Sequence, residues 1–166
     1  MNELTYYTEI AEDLQKNNPT AYEELDEEIH IIIHKLKFIP QESRPIVQVI
    51  SNDQAIKQDY LQELLKVAGA QPTASAVPLE DVEILIFIDE TMNYLSTLPV
   101  ELQTLYAESK AVKNNKIYII QKPAFAKDKA AYIQDIEVLA EIVQSKYFVF
   151  GHEGEEWIKF DVSFKT

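Results

Sequence analysis

The chain has 166 residues, 46% of them hydrophobic and 10% aromatic, enough to bury a core without metals or disulfides and too apolar for a disordered chain. There is no cysteine, which excludes disulfides, thiolate nucleophiles and CxxC metal sites together. Twenty-eight acids against fifteen bases give a formal charge of −13, which repels phosphate backbones and anionic membranes and speaks against nucleic acid as a partner.

The first forty residues are helical by pattern. Leu4, Tyr7, Ile10, Ala11 and Leu14 recur at three- and four-residue steps before the breaker Asn17-Asn18-Pro19. A second series is expected to start at Thr20, with Glu23 three residues later completing a capping box, and to turn Tyr22, Leu25, Ile29, Ile32, Ile33 and Leu36 inward. Its acids lie early and its lysines late, as the helix dipole favours, and it stops before Pro40. The opening MNELTYYTEI has no basic region followed by an apolar core, so it does not read as a secretory signal. As written, the chain is expected in the cytoplasm.

After Pro40 the period changes. Ile46 to Ile50 is a short β-branched run, followed by a polar loop and a helix with Ile56, Tyr60, Leu61, Leu64, Leu65 and Ala68 inward, stopped by Gly69. Residues 72 to 79 read as a short extended lead into Ile84 to Ile88, a nearly continuous apolar run that suits a central strand covered on both faces. From Leu98 a helix with Leu102, Leu105 and Tyr106 leads to AVKNNK, where Asn114 and Asn115 take a tight turn into the strand Ile117 to Ile120. Tyr132, Ile133, Ile136, Leu139, Ala140 and Val143 mark a last amphipathic helix, and the tail FVFGHEGEEWIKF packs its aromatics on the body. Alternating strands and helices joined by right-handed crossovers predict a three-layer α/β/α fold with a small, mostly parallel sheet, preceded by a helical leader. The leader spans 1–40 and a single α/β lobe spans 41–166.

In such a sheet ligands meet the chain at the carboxyl ends of the strands. That places Ser51, Asn52 and Asp53, then Asp89, Glu90 and Thr91, then Gln121 and Lys122 at one candidate ligand edge. With only three glycines, neither a phosphate loop nor a dinucleotide fingerprint is available. Asp89 and Glu90 could hold Mg²⁺ or move a proton, but adjacent acids after a buried strand ordinarily begin a polar turn. Ser51 has no flanking glycine to form a nucleophile elbow. No enzyme is therefore expected. His30 and His34 stand at i, i+4 on one helix, a spacing that zinc sites use, with Glu27 a turn earlier; the plainer reading is a solvated helix rim.

The order HKLKFIPQESRPIVQVI, YLQELLKVAGAQ, LEDVEILIFID, AVKNNKIYII and IEVLAEIVQSKYFVFGHEGEEWIKF resembles the carboxyl-terminal lobe of the helical-backbone substrate-binding proteins of ABC importers, from about Asp26 to Phe160. In that family a rigid helix joins two α/β lobes, and phrases such as AVKNGRVYVI and LAEIIHPEYF recur. The resemblance implies a non-enzymatic binding module, without a cofactor, for a siderophore, haem, cobalamin or metal ion. It also implies a permease-docking role for Glu80, which falls in the phrase LED. A full receptor carries an amino-terminal lobe where this chain has one short helix, so half of the cleft is expected to be missing; the lobe then holds a ligand or partner at its strand-end edge alone or through a homodimer that restores the cleft, or the cleft is vestigial. In the vestigial case the helical leader and acidic surface bind a protein partner. A periplasmic location follows if the chain is a piece of a longer receptor.

Overall fold

The computed structural model describes residues 4–51, 55–71, 77–89 and 94–161. The helices are α1 (Thr5–Asn17), α2 (Pro19–Leu36), α3 (Gln58–Val67), α4 (Tyr94–Thr104), α5 (Lys110–Lys113) and α6 (Tyr132–Val143). The strands are β1 (Val47–Ile50), β2 (Ile84–Ile88), β3 (Ile117–Ile120) and β4 (Trp157–Phe160). The sheet order is β1-β2-β3-β4, with the first three strands parallel and β4 antiparallel to β3. The tail is thus more than an apolar extension, because Trp157 to Phe160 add the fourth strand.

The fold is a mixed α/β fold in three layers, with a helical amino-terminal part. All five residues of β2 are buried, so this strand needs cover on both faces. Ile84, Ile86 and Ile88 meet the larger core, built from α2, α3 and α6 with α1 against it, whereas Leu85 and Phe87 meet Leu98 and Leu102 of α4 and Ala111 and Val112 of α5. The steps from β1 to β2 and from β2 to β3 run in the same direction across the sheet but over opposite faces. The two crossovers therefore have opposite hands, and the expectation that all are right-handed is corrected. The second crossover is what shields the face that the leader and α6 leave bare.

Several local expectations change as well. The second helix is capped by Asn18, whose side chain accepts from the Ala21 amide at 3.2 Å, with Pro19 in the first turn, so Thr20 is inside the helix and is not its cap. Proline needs no amide partner there, which lets the helix start earlier. Ile33 is 40% exposed because the buried stripe Leu25, Ile29, Ile32, Leu36 is completed without it. Leu105 is 60% exposed, since α4 has ended at Thr104 and the helical period no longer sets its direction. Of the expected extended stretch, residues 72–76 lie outside the described residues, and Leu79–Asp81 form a 3₁₀ turn.

Two turns behave as read. Gly69 has φ +101°, and the Gly69 and Ala70 amides donate back to Lys66 and Leu65 in a Schellman stop. Asn115 takes φ 58° between α5 and β3, a left-handed position that asparagine tolerates better than most residues.

Candidate functional site

The carboxyl ends of β1, β2 and β3 lie side by side, as the register Ile50 to Phe87 and Ile88 to Ile120 requires, so Ser51, Asp89, Gln121 and Lys122 share one edge. Asn52, Asp53, Glu90 and Thr91 lie outside the described residues. Lys122, the one cation expected to face a ligand, turns inward instead. Its Nζ is 3.0 Å from Oδ1 of Asp135 on α6, with the lysine side chain 16% exposed and the aspartate fully buried. The second Asp135 oxygen accepts from the Ala126 amide at 3.0 Å. Burial raises the Asp135 carboxyl above its ordinary range, against the opposing pull of the Ala126 amide and the lysine. The Gln121 and Lys122 amides both donate to the Glu156 carbonyl, at 2.8 and 3.2 Å. In the loop that follows, Ala124 and Ala126 take φ 56° and 61°, and Phe125 between them is fully buried.

Two further buried carboxylates hold the chain together, and neither was anticipated. Glu63 of α3 accepts from the Tyr6 and Tyr7 amides in the first turn of α1, at 3.0 and 2.9 Å, and from the Tyr132 hydroxyl at 2.7 Å. Leu4 at the N-cap of α1 offers no side-chain acceptor, so a carboxylate remote in sequence caps that helix and sits at the favourable end of its dipole. Glu141 of α6 accepts from the amides of Phe150, Gly151 and His152 and from the Trp157 indole, at 2.7 to 3.2 Å. Each acid stands on its helix's buried stripe, Glu63 three residues after Tyr60 and Asp135 three after Tyr132. A charge at an apolar register position is the sequence signal that marks such residues.

Around Glu63 the leader is sewn to the lobe by tyrosines. The Tyr6 hydroxyl donates to Asp59 of α3 at 2.8 Å, while the Tyr7 hydroxyl donates to Asp26 within the leader at 2.8 Å. The Tyr6 and Tyr60 rings meet edge to face at 4.9 Å. Burial, and then the neighbouring carboxylates, raise the Tyr7, Tyr60 and Tyr132 phenols above their ordinary value.

Beside this seam lies a groove of about 580 Å³ between α1, α2 and the start of α6. Ile10 and Leu14 of α1, Leu25 of α2 and Ile133 of α6 give it an apolar floor. Its acids are Glu9 and Asp13 on α1 and Glu24 and Glu28 on α2, each pair one helical turn apart. Its one lysine, Lys129, is held 3.2 Å from Glu9 and lies over the Tyr6 ring at 5.3 Å. Partial burial raises the Glu28 carboxyl, and Glu137, Glu24 and Glu27 push it further the same way.

The histidines are placed apart from this groove's lining. His30 Nδ1 lies 2.6 Å from the Asp26 carbonyl and 3.2 Å from its carboxylate, while His34 meets the Phe38 ring edge-on. Among the described residues no group of three His, Asp or Glu side chains is arranged to hold a metal ion. His152 stands 3.0 Å from Glu137, so with Trp157 it is engaged by α6. Glu80 is exposed in the 3₁₀ turn before β2, at the end of the sheet away from the ligand edge. No described helix is long and apolar enough to cross a membrane.

Compared with protein-family models, with curated proteins and with solved structures, the chain matches none.

Proposed function

We propose that the protein is a non-enzymatic binding module that takes a protein partner through the groove between its helical leader and its α/β lobe. The observation that carries this reading is the groove itself, about 580 Å³ with an apolar floor of Ile10, Leu14, Leu25 and Ile133. Its volume falls within the range of sites that accept a ligand or side-chain cluster. The strand-end alternative is weakened by Lys122, whose charge is neutralised by Asp135. Selection of displayed peptides on the full chain tests the reading. Peptides enriched on the wild type should lose binding to Ala21→Trp, which fills the groove from α2 while melting like the parent. Equal binding to both proteins would remove the groove from the function.

A second reading is a receptor lobe of the ABC-importer kind for a siderophore, haem, cobalamin or metal ion. It is favoured by the left-handed Ala124 and Ala126 beside Gln121 and Lys122, because non-glycine residues held in that region concentrate at functional loops. A thermal-denaturation panel with ferric siderophore, haem, cobalamin and divalent metals decides it. A ligand at a hundred times its Kd adds about 2.7 kcal/mol, and a flat panel would count against this reading.

A further inference from the structure

From the pairing of an apolar floor with an acidic rim, we infer that the occupant of the leader groove is a short basic amphipathic segment of a partner protein, with apolar residues along one face and lysine or arginine beside them. The inference rests on the groove being the binding surface and names the chemistry that the surface selects.

The shape favours a segment over a small molecule. The groove opens to solvent along its exposed rim of Glu9, Asp13, Glu24 and Glu28, so a free small ligand would keep much of its surface wet, whereas tight small-molecule sites enclose most of the ligand. A helix laid in a groove buries one face and leaves its other face in water by design. The dimensions agree. From Ala21 to Glu28 the α2 wall rises about 10 Å, which is two turns of a docked helix and presents two or three apolar anchors.

Charge selects the sign. Glu9, Asp13, Glu24 and Glu28 face a single lysine already paired with Glu9, so the groove carries uncompensated negative charge. Glu28 is crowded further by Glu137, Glu24 and Glu27, a repulsion that a cation on the partner would relieve. A second copy of this chain is the wrong occupant, because each copy carries −13 and would bring like charge to an acidic rim. Rim charges act mainly through the rate of encounter and its salt dependence, while the apolar anchors set the rate of release.

The test uses the full chain and three probes: a fluorescent 14-residue peptide with leucines at helical spacing and lysines beside them, the same peptide with each lysine replaced by glutamate, and spermine. The lysine peptide should bind saturably, weaken as salt is raised, and lose about tenfold in affinity to the Glu24→Lys, Glu28→Lys double variant. The glutamate peptide should not bind. Both substituted positions are helix-compatible surface sites, and an unchanged melting curve establishes that the variant is folded. Equal binding of the two peptides, or an unchanged Kd for the double variant, overturns the basic-segment inference while leaving the groove as binding surface. Full displacement of the lysine peptide by spermine at equal positive charge overturns the assignment to a peptide, since cations alone would then suffice. If neither peptide binds, the inference fails, and the display selection decides separately whether the groove binds anything.

Discussion

Replacing Glu63 with alanine strips one carboxylate from three donors at once. The Tyr6 and Tyr7 amides lose the side-chain acceptor that serves the first turn of α1, which costs about 1 kcal/mol by comparison with other helix caps. The Tyr132 hydroxyl, on a side chain 1% exposed, is left buried without its acceptor, at a cost of about 2 kcal/mol. Urea denaturation followed by far-UV circular dichroism should therefore show a loss of about 3 kcal/mol. In a Tyr132→Phe background no hydroxyl remains to be orphaned, and the same replacement should cost only about 1 kcal/mol, a coupling of about 2 kcal/mol between the two side chains. Amide exchange at Tyr6 and Tyr7 should accelerate in both backgrounds. A loss below about 1 kcal/mol for Glu63→Ala, or an equal loss in both backgrounds, would refute the view that this carboxylate joins leader to lobe.

Lys122→Met should cost about 3 to 5 kcal/mol at pH 7, because it leaves Asp135 charged and buried without its cation. The Asp135 carboxyl is already raised in the native chain and would rise further, so the folded variant binds more protons than the unfolded one above the ordinary aspartate range; its deficit should shrink as pH falls toward 4 and widen as pH rises, read from urea midpoints. A deficit under about 1 kcal/mol at neutral pH would return Lys122 to the ligand edge. Glu141→Gln sets an amide NH₂ against a cluster of donors and should cost about 2 kcal/mol and shift the emission of the sole tryptophan to the red; an unchanged spectrum and midpoint would contradict the role given to Glu141. The phenols of Tyr6, Tyr7, Tyr60, Tyr106, Tyr118 and Tyr132 are all raised above 10.0, so stability present below that value should fall as pH climbs past it, where the unfolded chain releases protons that the native one retains. Absorbance at 295 nm should show the buried Tyr60 and Tyr132 phenols ionising only as circular dichroism reports unfolding, and an early titration of every tyrosine would rule this out.

The fold was legible where one period dominated a segment. The stripe Leu25, Ile29, Ile32, Leu36 and the solid run Ile84 to Ile88 announce a half-buried helix and a fully covered strand without outside help. The cap at Asn18 is masked in the sequence because Thr20 and Glu23 match a capping box, although Pro19 just before Thr20 makes the earlier start better. Crossover hand was not legible, since it depends on which face α3 takes and which face α4 and α5 take, and local sequence does not encode that. The ligand edge was placed by topology, which set Ser51, Asp89, Gln121 and Lys122 together, but the partner of Lys122 comes from a helix that begins ten residues later. The leader groove is not legible for a similar reason. Its floor is drawn from three helices, and in each of them Ile10, Leu25 or Ile133 reads as ordinary core.

The sheet stands between two unequal apolar bodies, and the smaller one, behind Leu85 and Phe87, is closed chiefly by α4 and α5. With α5 a single turn and Pro99 inside α4, that layer is the one suited to open on its own while the rest of the molecule stays native. Hydrogen exchange should then divide the protein into two cooperative units that meet at β2. Anything seated among the leader helices would slow exchange in one unit and leave the rate in the other unchanged, so the molecule can be clamped on one side of the sheet while it breathes on the other.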